Sequence, residues 1–197
     1  MNDFTRAVTM ELKGAGNYLY LIGKRKDELG GSVYYQTLGF VGRNVPNPDL
    51  AKERKNIQKI IDLISEGVIL SCHDISDGGL ISAIIEMAIK GGLGAEFMIA
   101  GEMRPDKFLF SETEANLDSE LMIPEKMRMD KFLFSETGGF ILEVRPEDSQ
   151  RIEEGLDEAY LIGKVTEEPR LLIESLVEIP LEPLKNRYEG ILKELLV

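Results

Sequence analysis

The densest group of chemically able side chains in the 197-residue sequence is Ser71-Cys72-His73-Asp74-Ile75-Ser76-Asp77-Gly78-Gly79-Leu80. It follows the apolar run Val68-Ile69-Leu70 and leads into a second apolar stretch, so it is expected where a buried strand passes through a turn (73–79) into a helix. Proteins of α/β type bind ligands there, beyond the carboxyl ends of strands. Gly78 and Gly79 would let a ligand approach the backbone, and the amides opening the helix favour an anion. Asp74 and Asp77 oppose a bare phosphate. They suit a magnesium-bridged one, because magnesium takes one or two carboxylates plus phosphate oxygens. The competing reading is structural: Ser76 or Asp77 caps the helix, and His73 fills a satisfied core position. Cys72 is read as a structural cysteine rather than a nucleophile beside His73, since adjacent strand residues point to opposite faces. The chain carries no P-loop, dinucleotide fingerprint or nucleophile elbow.

The elements that must position this cluster are legible as periodic segments. Tyr18-Leu19-Tyr20-Leu21-Ile22, between Gly16 and Gly23, reads as a buried strand, followed by the glycine-bearing loop 27–32. Asn47 is a plausible N-cap with Pro48 at the first helical position, and Ile57, Ile60, Ile61 and Ile64 share one face of that helix up to Gly67. Leu80, Ile81, Ile84, Ile85 and Ala88 mark an apolar helix closed by Gly91-Gly92. Strands are expected at 140–144 and 160–165, a short helix at 147–156, and a closing helix with Leu181, Leu184, Tyr188, Ile191, Leu192 and Leu195 on one face. Helices alternating with strands, without a Pro/Ser/Gly-rich linker, imply one domain over 1–197: an α/β (α+β) fold with a mixed sheet covered by helices.

Composition narrows the function classes. With 43% hydrophobic and 29% charged residues the balance is globular, and 35 acidic against 23 basic residues leave a net charge of −12. That field repels a phosphate backbone and argues against nucleic acid. One cysteine and one histidine exclude a disulfide framework and multi-cysteine or two-histidine metal sites, and fit a reducing cytoplasm. No apolar run approaches the roughly 18 residues of a membrane span.

One segment recurs. Met103 to Thr113 reappears, with one change, as Met127 to Thr137, at an offset of 24 residues, and Leu93, Glu96, Met98 and Ile99 match Leu117, Glu120, Met122 and Ile123 at the same offset. Residues 90–113 and 114–137 therefore read as a tandem duplication, accommodated as an insertion because lengthening a loop costs little closure entropy. The two copies of Asp-Lys-Phe-Leu-Phe-Ser-Glu-Thr compete for one strand position in the sheet. Thr137 leads directly into Gly138-Gly139 and the strand at 140–144, so 131–136 is expected there, with the surplus residues between about 101 and 128.

His73-Asp-Ile-Ser-Asp-Gly-Gly-Leu80, followed by Glu86-Met-Ala88 and Gly91-Gly-Leu-Gly-Ala-Glu96, resembles the last domain of phosphoribosylformylglycinamidine synthase. The segments 7–35, 133–144, 160–173 and 181–196 resemble the rest of that domain, in order. The resemblance implies an aminoimidazole ribonucleotide synthetase-like C-terminal module of an enzyme that converts formylglycinamide ribonucleotide to the amidine with ATP, magnesium and ammonia from glutamine. Alone it is expected to be inactive, with no catalytic residue of its own and no cofactor held tightly. In the family the catalytic histidine belongs to another module, so His73 is not its counterpart. By the internal pseudo-symmetry of the family, Asp74 (magnesium) and Glu136 are the implied ligand-site carboxylates, beside Asp77, Gly78 and Gly79; the duplication makes Glu112 a second candidate for Glu136. Implied partners are the remaining synthetase domains and the glutaminase and small accessory subunits, with self-association through an uncovered apolar interface. The alternatives are a stand-alone binding or scaffold module of this fold, or the corresponding module of selenophosphate synthetase or the hydrogenase-maturation synthetase.

Overall fold

Seven strands form one sheet in the computed structural model, which describes residues 3–97, 128–173 and 177–195, with side chains to residue 190. They are Tyr18–Ile22 (β1), Ile69–Asp74 (β2), Gly94–Phe97 (β3), Phe140–Val144 (β4), Ala159–Thr166 (β5), Arg170–Ile173 (β6) and Val177–Pro180 (β7). The helices are Val33–Thr37 (α1), Leu50–Ser65 (α2), Gly79–Gly91 (α3), Met129–Phe134 (α4), Ser149–Gly155 (α5) and Leu181–Leu195 (α6). Spatial order across the sheet is β2-β4-β1-β5-β3-β6-β7, antiparallel throughout except for the parallel pair β3 and β6. The mixed, helix-covered sheet expected from the alternation of elements is what forms.

Both faces of the central strands are buried, which is why β1 is apolar without alternation. Leu19 and Leu21 point into a core with α3, Phe132 and Leu181, while Tyr20 and Ile22 point into a second core with Ile60, Leu63 and Ile64 of α2 and Ile152 of α5. Gly67 and Gly92 adopt left-handed backbone just beyond α2 and α3, as their positions required.

Three expectations need correction. The N-cap of α2 is Asp49, whose carboxylate accepts from the Ala51 and Lys52 amides at 3.1 Å each; Asn47 and Pro48 lie before the helix. His73 and Asp74 belong to β2 rather than to the turn, paired with Ile141 and Phe140. Residues 131–134, expected as a strand, lie in the helix α4. A three-residue apolar run does not fix a period, and as a helix the segment buries Phe132 and Leu133 while Phe134 stacks on Tyr34 at 4.4 Å. The competition for a sheet position thus does not arise for this copy; the other copy, at 103–113, lies outside the described residues, as does Glu112.

Candidate functional site

The backbone leaving β2 is tied to the segment entering β4, since the Ile75 amide donates to the Gly139 carbonyl at 2.9 Å. Beyond it, Ser76 to Gly79 make the turn into α3, with Gly78 and Gly79 both left-handed at φ 78° and 73°. Gly78 stands at the N-cap position with no side-chain cap, and Ser76 and Asp77 are exposed. Neither caps the helix, contrary to the structural reading of the sequence, because the cap position falls on Gly78, which has no side chain. The capping oxygen comes from across the fold. Glu136 Oε1 accepts from the Gly78 amide at 2.8 Å and from the Val33 amide, the first residue of α1, at 2.9 Å. One carboxylate oxygen therefore joins two helix starts, and Glu136 Oε2 has no hydrogen-bond partner among the described residues.

Asp74 is apart from this junction, at the end of an edge strand, with its side chain 64% exposed. Its Oδ1 lies 3.2 Å from His73 Nδ1, and His73 Nε2 lies 2.8 Å from Glu86 Oε2 on α3. His73 is accordingly not a core filler but the middle of a carboxylate–imidazole–carboxylate row. Glu86 was not singled out from the sequence; its place seven residues into an apolar helix was the available signal. The structure brings Glu136, Gly78 and Gly79 together, sets Asp77 beside them in solvent, and leaves Asp74 on the neighbouring strand end. A cavity of ≈ 260 Å³ lies by the preceding loop, lined by Asp27, Leu29, Gly30, Tyr35, Arg43 and Lys131 among others. Neither Asp74 nor Asp77 lines it.

Cys72 is partly buried against the core that holds Tyr20 and Leu142. Burial, with the negative field of Asp74 added, pushes its thiol up to about 12. The thiolate fraction near pH 8 is then about one in 10⁴, so a disulfide reagent should label the native chain orders of magnitude more slowly than the urea-unfolded chain. Stoichiometric labelling of native protein within minutes would contradict this burial.

Residues 14–174 match the family model described as "AIR synthase related protein, C-terminal domain". Among curated relatives, each a phosphoribosylformylglycinamidine synthase subunit PurL, the protein of Methanothrix thermoacetophila is 44% identical over 116 residues, covering 57% of this chain and 15% of its own length. That of Methanocaldococcus jannaschii is 34% identical over 88% of this chain and 22% of its own. That of Thermoanaerobacter sp. is 30% identical over 98% and 24%. The chain thus spans a quarter or less of the length of these relatives. Among solved structures, Thermotoga maritima PurL complexed with FGAR aligns with TM-score 0.68 at 18% identity, covering 92% of this chain and 30% of that one. A HypE–HypF complex aligns at TM-score 0.56 and 16% identity, over 84% and 52%. At these identities the structural matches establish a shared fold.

Proposed function

This chain belongs to the family of AIR synthase related proteins, as their C-terminal domain, and from that premise we propose that it is the last module of a phosphoribosylformylglycinamidine synthase. The observation that carries the reading is that relatives aligned over 88% and 98% of the chain are subunits of that enzyme. In this reaction ammonia-derived nitrogen displaces the amide oxygen, which leaves on the phosphate split from ATP, in the cytoplasm. This chain supplies a ligand-facing surface, and the chemistry is completed by modules it does not contain.

The donors present suit magnesium-bridged phosphate. Asp74, the second oxygen of Glu136 and the exposed Asp77 are hard oxygen ligands. Among the described residues no three metal-binding side chains converge, so a magnesium ion here would draw its other ligands from phosphate and water. Bound magnesium would neutralise phosphate charge. The residues themselves orient: Glu136 fixes where α3 begins, and the Gly78-Gly79 turn follows from it. The chain alone should form no amidine from formylglycinamide ribonucleotide, ATP, magnesium and ammonia. Adding the remaining modules should restore both turnover and magnesium-ATP binding, with Asp74→Asn weakening that binding while leaving the melting temperature unchanged. Turnover by the pure chain would sink the reading.

Val33, Leu38, Phe40, Val41 and Val45 are all exposed, on α1 and the loop after it. Such a concentration marks a surface that other synthetase modules, with the glutaminase and small subunits beyond them, would cover. Uncovered, it should drive concentration-dependent self-association in sedimentation velocity, reduced by Phe40→Ser with Val41→Ser. A monomeric profile at high concentration would contradict it.

A further inference from the structure

The loop that carries Glu136 is held from inside the protein by a buried cation. Arg25 is 3% exposed, and its guanidinium donates to the Gly138 carbonyl at 2.7 Å and, through its other terminal nitrogen, to the Ser135 carbonyl. These two carbonyls bracket Glu136 in sequence. Ser135 and Thr137, both buried, share a hydrogen bond between their hydroxyls, and the Ser135 hydroxyl also reaches the Glu28 carbonyl at 3.3 Å. Gly138 and Gly139, at φ 92° and 100°, then turn the chain into β4. The backbone on both sides of Glu136 is therefore fixed where its side chain meets the Gly78 and Val33 amides.

This clamp is costly. Burial lowers the Arg25 guanidinium to about 10, with Glu28 acting the other way, so it stays cationic at neutral pH. Arg25 Nε and Glu28 Oε2 are both buried without a hydrogen-bond partner among the described residues. A buried ion in an incompletely satisfied network is a poor way to gain stability. What an apolar residue lacks is a planar fork that can bridge two carbonyls.

We infer that Arg25 is a positioning residue for Glu136, fixing through the Ser135 and Gly138 carbonyls the carboxylate that joins the starts of α1 and α3. Its functional weight rests on the reading of Glu136 as a ligand-site carboxylate, but the geometry is testable in this chain without any ligand. Native-state amide exchange by NMR reads the two capped amides directly. Glu136→Ala should speed exchange at Gly78 and Val33 by about tenfold, the effect of losing a cap. Arg25→Lys keeps charge and most of the volume but not the fork. It should speed the same two amides comparably, while Leu21 and Leu142 in the central strands exchange as in the wild type, and Arg25→Met should match it where that variant folds. Adding Arg25→Lys to Glu136→Ala should produce no further change at either amide, since the one acts through the other. Wild-type protection of Gly78 and Val33 in Arg25→Lys overturns the inference, as does an equal acceleration of all four amides, which would mean general destabilisation. Magnesium-ATP binding to the reassembled modules, measured for Glu136→Ala, tests the functional reading separately: exchange can succeed while binding is unaffected, and the reverse.

Discussion

Glu143→Ala should be the most destabilising single carboxylate substitution among the described residues, lowering the free energy of unfolding by about 3–5 kcal/mol. Glu143 is the fourth of the five residues of β4, at 0% exposure, between Leu19 of β1 and Ser71 of β2. Donors converge on it from three directions. The Lys13 amide reaches both oxygens at 2.8 and 3.1 Å, the Gly14 amide and the Asn17 side chain reach Oε1 at 3.0 and 2.7 Å, and the Ser71 hydroxyl reaches Oε2 at 2.9 Å. Two of these donors are backbone amides of the segment before β1, so the carboxylate anchors that segment to the sheet. Removing it strands four donors at once, and a buried unpaired donor costs more than a made hydrogen bond gains. Glu143→Gln keeps one acceptor but turns an NH₂ toward donors, so it should fall between wild type and Ala. Urea unfolding of the three proteins checks the order. A loss below about 1 kcal/mol for the alanine variant, the size of an ordinary exposed hydrogen bond, would show that water replaces the carboxylate freely.

That anchor shows what the sequence made legible and what it hid. Runs such as Tyr18–Ile22 and Phe140–Val144 are buried on both faces, and their apolar continuity was enough to place them. Inside the second run sat one acidic residue, Glu143, and its presence among Phe140, Ile141, Leu142 and Val144 was the signal for a buried polar anchor. The donors it meets come from residues 72 to 130 positions away, and no local pattern names them. The four-residue strands β3, β6 and β7 were hidden for a different reason: so short a stretch, with charges such as Glu96, Arg170 and Glu178 in it, carries too few residues to show a period. The same holds for α1 and α4. At the candidate site the residue types were visible but the division of labour was not. Sequence order put the cap on Ser76 or Asp77, whereas the capping oxygen arrives from Glu136, 58 residues on from Gly78.

The glycine pair carries the sharpest consequence of that difference. Read from the sequence, Gly78 and Gly79 make room for a ligand, and by that account either would accept a methyl group in the chain alone. The structure gives them neighbours from the protein itself. A Cβ on Gly79 would stand 2.7 Å from the Leu133 carbonyl oxygen and 2.8 Å from Phe134 Cα, both backbone atoms of α4. A Cβ on Gly78 would meet the Ser82 hydroxyl, which can rotate away, and the Ser82 Cβ at 2.9 Å, which moves only with the backbone of α3. Both positions are left-handed, so each alanine carries about 1–2 kcal/mol of backbone strain. Gly79→Ala must in addition push α4 off α3, disturbing the seat of Phe132 and Leu133 in the core, and should cost about 3–5 kcal/mol in all. Gly78→Ala should cost the backbone strain plus a small shift of the Ser82 Cβ, less than the displacement of α4. Chemical unfolding of the two variants separates the accounts: the gap between them measures how closely α4 is packed on the helix start. Equal and small losses would mean that α4 yields readily, and would return the glycines to the role of leaving the backbone open to a ligand.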